Sequence, residues 1–81
     1  SKAMSKVVDF CKDKGLYWFQ NEEGETTIQR AKYIEDGWFI ISKKEEKEFN
    51  VFEIPLFGGK EELIDTFKTI EDAYRCAMEL C

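Results

Sequence analysis

The sequence predicts an α+β fold: an N-terminal helix, an antiparallel meander of three to five strands and a C-terminal helix, arranged as a two-layer sandwich. Three observations predict it. Apolar residues recur at helical spacing near both ends of the chain. Short segments rich in aromatic and β-branched residues fill the middle. Turn-forming residues separate these segments. With 81 residues and one proline, residues 1–81 are expected to form a single small domain.

The first helix is predicted over residues 4–13, where apolar side chains line one face. Ser5 is the candidate N-cap, and Gly15 is the candidate glycine that ends the helix. Met4 is interpreted as a possible native start, and Ser1–Ala3 as residues added before it. The apolar positions of this helix are Met4, Val7, Val8 and Cys11.

The strands are predicted from β-branched and aromatic runs between turns. Glu35-Asp-Gly37 is the clearest hairpin signal, because Asp-Gly supplies the positive φ that such turns require. The predicted strands are residues 16–20, 25–34 with an optional interruption near Arg30, 38–42, 48–54, and 63–67, the last as a short strand or an extended lead-in.

The second helix is predicted to begin after Thr69, with Asp72 completing a capping box. Its apolar face continues from Ile70. The glycine pair before Lys60 could suggest a phosphate-binding loop. Such a loop needs an earlier glycine and a Ser or Thr after the lysine. Neither is present, so Gly58-Gly59 is interpreted as a turn.

The composition argues against an enzyme and against a bound metal or cofactor. The chain has no histidine, the commonest general base near neutral pH. Its three cysteines form no metal-binding or redox spacing. We expect Cys11 and Cys76 to be inert core thiols and Cys81 to be exposed. Reduced thiols and the lack of an apolar run of about 18 residues favour a cytoplasmic protein without a membrane span.

The charge balance favours a protein partner over nucleic acid. Twelve basic residues stand against 17 acidic ones, a net charge of −5, whereas nucleic-acid binding depends on Lys and Arg. Acidic clusters, including Glu45-Glu46, could imitate DNA phosphates and occupy the cleft of a nucleic-acid enzyme. The chain would then suit a phage or mobile-element accessory protein, or an inhibitor of a host nucleic-acid enzyme.

Aromatic residues provide the second argument for protein binding. Adjacent aromatics on a strand point to opposite faces, so helices on one face would leave some exposed unless a homodimer covers them. The leading hypothesis is therefore a small acidic, non-enzymatic protein-binding or regulatory module, either monomer or homodimer. The candidate contact residues are Tyr17, Phe19, Tyr33, Trp38, Glu45 and Glu46.

Two resemblances supply the alternative function. The phrase Phe67-x-Thr-x-Glu-x-Ala73 resembles the helix start of small β-β-β-α modules such as the arm-type DNA-binding domains of phage integrases. The order helix, strands, helix is similar to double-stranded RNA-binding domains, although Glu71 and Asp72 stand where those domains carry basic residues. Both resemblances imply nucleic-acid binding, and the alternative hypothesis is a nucleic-acid-binding module that uses the sheet. The candidate contacts would be Arg30, Lys32, Lys43 and Lys44.

Overall fold

The predicted α+β fold is confirmed, with five strands in the meander. The structure, a computed structural model, describes residues 5–80. Within them, the sheet is antiparallel and its strands lie in the order β1-β2-β3-β4-β5. The elements are α1 (Lys6–Lys14), β1 (Tyr17–Gln20), β2 (Thr26–Gln29), β3 (Gly37–Lys43), β4 (Glu48–Ile54), β5 (Glu62–Phe67) and α2 (Ile70–Met78).

Both ends of α1 have the predicted caps. The Ser5 hydroxyl accepts hydrogen bonds from the amides of Val7 and Val8, at 3.1 and 3.2 Å. These amides have no partner inside the helix. Gly15 ends the helix in the left-handed conformation, with φ of 70°. Helix α1 therefore starts after Ser5, and the expectations for Met4, Ser1–Ala3 and Cys81 fall outside the described residues.

The start of α2 is confirmed, but only half of the capping box forms. The Thr69 hydroxyl accepts a hydrogen bond from the Asp72 amide at 3.2 Å. The Asp72 carboxylate instead accepts one from the Arg75 guanidinium at 2.9 Å. The two residues are three positions apart, which places their side chains side by side on the helix surface.

The predicted strand 25–34 ends at its optional interruption near Arg30 and does not resume, and the predicted hairpin turn at Glu35-Asp-Gly37 is replaced by a longer connection. Strand β2 ends at Gln29, and the chain leaves the sheet at Arg30 to form a connection over residues 30–36. Gly37 has the expected positive φ, 102°. It nevertheless lies inside the ladder, paired with Ile54 of β4. The long β3–β4 pairing therefore includes a residue whose local signal favoured a turn.

Gly37 gives a first prediction. A Cβ atom there would lie 2.6 Å from Nη2 of Arg30, and φ is strongly positive. We expect Gly37→Ala to lower the free energy of unfolding by about 1–2 kcal/mol, because an L-residue is strained at this φ. Urea denaturation would measure it. The double variant Gly37→Ala, Arg30→Ala should keep most of the loss, since the arginine tip can move; full recovery would show that the clash is the cause instead.

Both helices pack on one face of the sheet. Along β3, alternation sends Trp38 and Ile40 to the helix side, and Phe39 and Ile41 to the other side. No helix or strand among residues 5–80 covers that second face. None of the helices there is long and apolar enough to cross a membrane. The core cluster contains Val7, Cys11, Ile28, Trp38, Ile40, Phe49, Val51, Ile70, Ala73 and Ala77.

Candidate functional site: the open face of the sheet

The sheet face opposite the helices carries two rows of side chains that cross all five strands. Residues directly opposite each other on paired antiparallel strands point to the same face. The register therefore defines both rows, which together with Ile54 we call the open face. The first row is Tyr17, Gln29, Phe39, Phe52 and Leu63. The second row is Phe19, Thr27, Ile41, Asn50 and Thr66.

Aromatic rings occupy the middle and one edge of the open face. Phe39 and Phe52 stack with ring centroids 4.9 Å apart and planes 11° from parallel. Tyr17 and Phe19 lie with centroids 6.0 Å apart. Phe19 is 45% exposed, and Leu63 at the opposite edge is 54% exposed. The open face is thus an apolar surface that water reaches most at its two edges.

The amide side chains on the open face already have hydrogen-bond partners. Gln29 donates to two backbone carbonyls of the β2–β3 connection, at 2.9 and 3.0 Å. Asn50 accepts a hydrogen bond from the Thr66 hydroxyl at 2.8 Å and donates to Glu48 at 3.1 Å. Because an unpaired buried polar group is costly, these internal bonds reduce the cost of removing water from the two amide donors and from the Asn50 oxygen.

Charged residues border the open face at the β3–β4 turn. Lys43 lies 3.8 Å from a Glu25 carboxylate oxygen, and Lys44 lies 3.2 Å from one of Glu48. The hydrogen bond from Asn50, followed by the contact with Lys44, lowers the pKa of Glu48. Exposed pairs of this kind contribute little stability. Their effect is to neutralise this border locally, and the two rows themselves contain no charged residue.

The predicted aromatic contacts separate into three groups. Tyr17 and Phe19 lie on the open face. Tyr33 lies in the β2–β3 connection, 83% exposed, with the Lys32 ammonium 5.5 Å from its ring centroid. The prediction that Trp38 is a surface contact is corrected, because its side chain is 0% exposed and lies in the core beneath α2. Alternation gives the exposed position to its neighbour instead.

Sequence reasoning missed most of the open face. The signal that could have found it is the run of four apolar residues 38–41, which must supply both faces of a strand. The residues missed as contacts are Phe39, Ile41, Phe52, Ile54 and Leu63.

The predicted acidic contacts lie in the β3–β4 turn. Glu45 is exposed, whereas Glu46 is partly buried and accepts a hydrogen bond from the Ser5 hydroxyl at the start of α1. Lys44, Glu45 and Glu46 have positive φ values of 52°, 54° and 66°. Such a conformation is unfavourable for L-residues. The Glu46 contact therefore joins a strained turn to the helix, which is a structural role.

The four candidate nucleic-acid contacts do not form one basic patch. Arg30 and Lys32 lie in the β2–β3 connection that precedes β3, whereas Lys43 and Lys44 lie at the far end of β3, a strand of seven residues and about 20 Å. Arg30 donates to the Asp36 carbonyl at 2.9 Å, with the Asp36 carboxylate 3.6 Å away. The lysines at the far end also contact carboxylates.

The groups considered for chemistry lie away from the open face. Cys11 is buried, and burial raises the pKa of its thiol to about 11, so the thiol is protonated near neutral pH. Burial also raises the pKa of Cys76. Gly58 and Gly59 form a turn with positive φ, closed by a 3.2 Å bond from the Gly58 amide to the Pro55 carbonyl. Residues 5–80 contain no group of three or more side chains placed to hold a metal.

A groove with a volume of about 470 Å³ lies between the helices. Phe10, Tyr74 and Met78 line its floor and wall. The Lys14 ammonium lies 5.8 and 6.0 Å from the two ring centroids. Charged side chains of both signs surround this groove, so it is less apolar than the open face.

Comparisons with models of known protein families, with curated proteins and with solved structures found no match to this chain. The fold therefore defines an architecture, helix, five-stranded antiparallel meander and helix, and the functional argument depends on the open face itself.

Proposed function

We propose that the protein is a small, non-enzymatic protein-interaction module that binds a protein chain through the open face. The observation that carries the proposal is the stacked Phe39–Phe52 pair at the centre of two uncharged rows that no helix or strand among residues 5–80 covers. Contiguous exposed apolar surfaces usually mark interaction sites, and aromatic residues are enriched in interfaces. A regulatory role in the cytoplasm would suit such a module.

The chemistry of the open face favours protein over nucleic acid. Proteins that bind single strands combine stacking rings with a positively charged groove along the backbone. Of the four candidate cations, Arg30, Lys43 and Lys44 each contact a carboxylate, and the Lys32 ammonium lies over the Tyr33 ring. A phosphate would have to displace these partners. A protein surface would need only apolar atoms opposite the two rows.

In the test, tagged variants of the protein are used to capture binding proteins from a nuclease-treated cell lysate. The lysate also contains a co-expressed untagged copy of the chain. We expect Phe39→Ala to reduce recovery of the captured protein at least tenfold, or about 1.4 kcal/mol, because central aromatic contacts dominate interfaces. Quantitative mass spectrometry measures the recovery. Circular dichroism must show that the variant is folded.

Two matched controls sharpen this test. Phe57→Ala removes a phenylalanine that is 96% exposed in the β4–β5 connection and should leave recovery unchanged. Glu45→Gln tests the acidic version of the hypothesis and should also have no effect. Equal recovery with Phe39→Ala, or protein capture that occurs only in a parallel sample without nuclease, would contradict binding through the open face.

A further inference from the structure

The size of the open face suits a sheet-on-sheet contact. Strands β3 to β5 are about 20 Å long and β1 and β2 about 13 Å, so five strands at about 4.8 Å spacing give a flat area on the order of 450 Å². Two such faces in contact would bury on the order of 1,000 Å² in total, which is about the smallest size of a specific interface.

We propose that the occupant of the open face is a second copy of this chain. Two sheets would pack face to face at about 10 Å, with strands within about 30° of each other, and the helices would form the outer layers. The inference rests on the proposed function, since it names the partner of the same surface. The dimer would be a four-layer assembly: helices, sheet, sheet, helices.

The position of β3 makes the open face suitable for two-fold symmetry. In a symmetric dimer, each surface meets its own copy, and residues near the axis meet their own counterparts. Strand β3 is the middle of five. A two-fold axis that lies between the two sheets and is centred on them therefore passes the middle of β3. This holds both for an axis parallel to the strands and for one perpendicular to them. Phe39 and Ile41 then lie at the centre of the interface, where energetically dominant contacts cluster.

Charge also favours a second copy. Each chain carries a net charge of −5, so two copies repel each other over much of their surface. The two rows of the open face carry no charged residue, and a neutral patch is complementary to itself. At the border, Lys43 and Lys44 contact Glu25 and Glu48, so neither sign is left in excess there. Two copies can therefore meet at this surface without like charges in opposition.

The polar groups of the open face support a dry contact of this kind. Gln29 and Asn50 are 9% and 8% exposed within one chain. Their donors already bond within the same chain. A second sheet would therefore not need to supply acceptors for these bonded amide donors. A small domain with one covered sheet face also gains core from such a contact, because its single core is limited by chain length.

The experiment is sedimentation velocity on the full chain in reducing buffer, over a wide range of protein concentration. We expect the mass to rise with concentration to twice the 9.6 kDa of one chain. Phe39→Glu should raise the dimer dissociation constant at least about 100-fold, because dimerisation would bury two unpaired carboxylates. The control, Met78→Glu, makes a similar change on the helix side, at a residue 49% exposed, and should remain dimeric.

A second measurement does not depend on the variant folding. In a mixture of labelled and unlabelled chains, isotope-filtered NMR should show contacts from Phe39 ring protons of one chain to Phe39 or Ile41 protons of the other chain. A wild-type mass that stays at one chain at every concentration overturns the second copy. A folded Phe39→Glu variant that still forms the dimer also overturns it. A dimer that lacks these inter-chain contacts does so too, because two chains paired at their sheet edges would lack them.

The two proposals can fail separately. A monomeric chain that still captures a different protein in a Phe39-dependent way overturns the second copy and leaves the interaction module standing. A dimer that depends on Phe39, with no other protein captured, supports both. Neither a dimer nor any Phe39-dependent capture overturns both.

Discussion

Replacing Trp38 with alanine is expected to lower the free energy of unfolding by about 3–5 kcal/mol. The indole is 0% exposed and is the largest fully buried side chain among residues 5–80. It meets the Tyr74 ring edge to face, with centroids 6.0 Å apart. Because small domains have about 5–15 kcal/mol of stability in all, the variant should be close to unfolding. Urea denaturation followed by far-ultraviolet circular dichroism measures the change without relying on the lost fluorophore.

A conservative variant separates ring packing from the indole N–H. The Nε1 atom of Trp38 is buried without a hydrogen-bond partner among the described residues, and such a donor costs about 1–3 kcal/mol. Trp38→Phe removes the donor and leaves a smaller cavity, so we expect a loss under about 2 kcal/mol. If Trp38→Ala cost less than about 1 kcal/mol, Trp38 would lie at the surface and the faces of β3 would be reversed.

The ends of the helices could be predicted because local chemistry determines them. Ser5 and Thr69 each accept hydrogen bonds from amides two or three residues ahead, and Gly15 supplies a conformation that other residues avoid. None of these features needs information from distant parts of the chain. Their residue types and spacing were therefore enough.

The β2–β3 connection could not be predicted in the same way, because distant pairing competes with the local signal. Asp36-Gly37 favours a tight turn, but β3 and β4 pair along seven residues, from Gly37–Ile54 to Lys43–Glu48. Each further pair adds ladder hydrogen bonds and side-chain contacts. The ladder therefore takes in Gly37 and shortens β2, a result that depends on β4 rather than on the turn sequence.

The candidate site was predictable only in part for a related reason. Tyr17 and Phe19 were named, and both lie on the open face. Along β3, however, Trp38 and Phe39 are both large aromatics, and the residues that follow are both isoleucine. Hydrophobic alternation shows that the two faces differ, but it cannot show which face the helices cover when both are apolar. Whether Trp38 or Phe39 faces the helices is determined by how the helices pack on the sheet, and the strand sequence alone does not contain that information.

The adjacent isoleucines of β3 provide the sharpest test of that packing. Ile40 is 0% exposed in the core, while Ile41 is partly exposed on the open face. We expect Ile40→Ala to lower the free energy of unfolding by about 2–4 kcal/mol, through lost burial and the cavity left behind. Ile41→Ala removes the same atoms at the neighbouring position. It should lower the free energy of unfolding of a single chain by less than about 1 kcal/mol.

The comparison requires low protein concentration, because association through the open face would add stability to the folded state by mass action. Under those conditions the two variants share their chemistry, strand and loss of β propensity, so the difference between them reports burial alone. Raising the concentration should then stabilise wild type and Ile40→Ala, but Ile41→Ala much less, since Ile41 lies at the centre of the proposed contact. Equal losses for the two variants at low concentration would mean that both faces of β3 are covered within a single chain, and the open face would lose its basis as a binding surface.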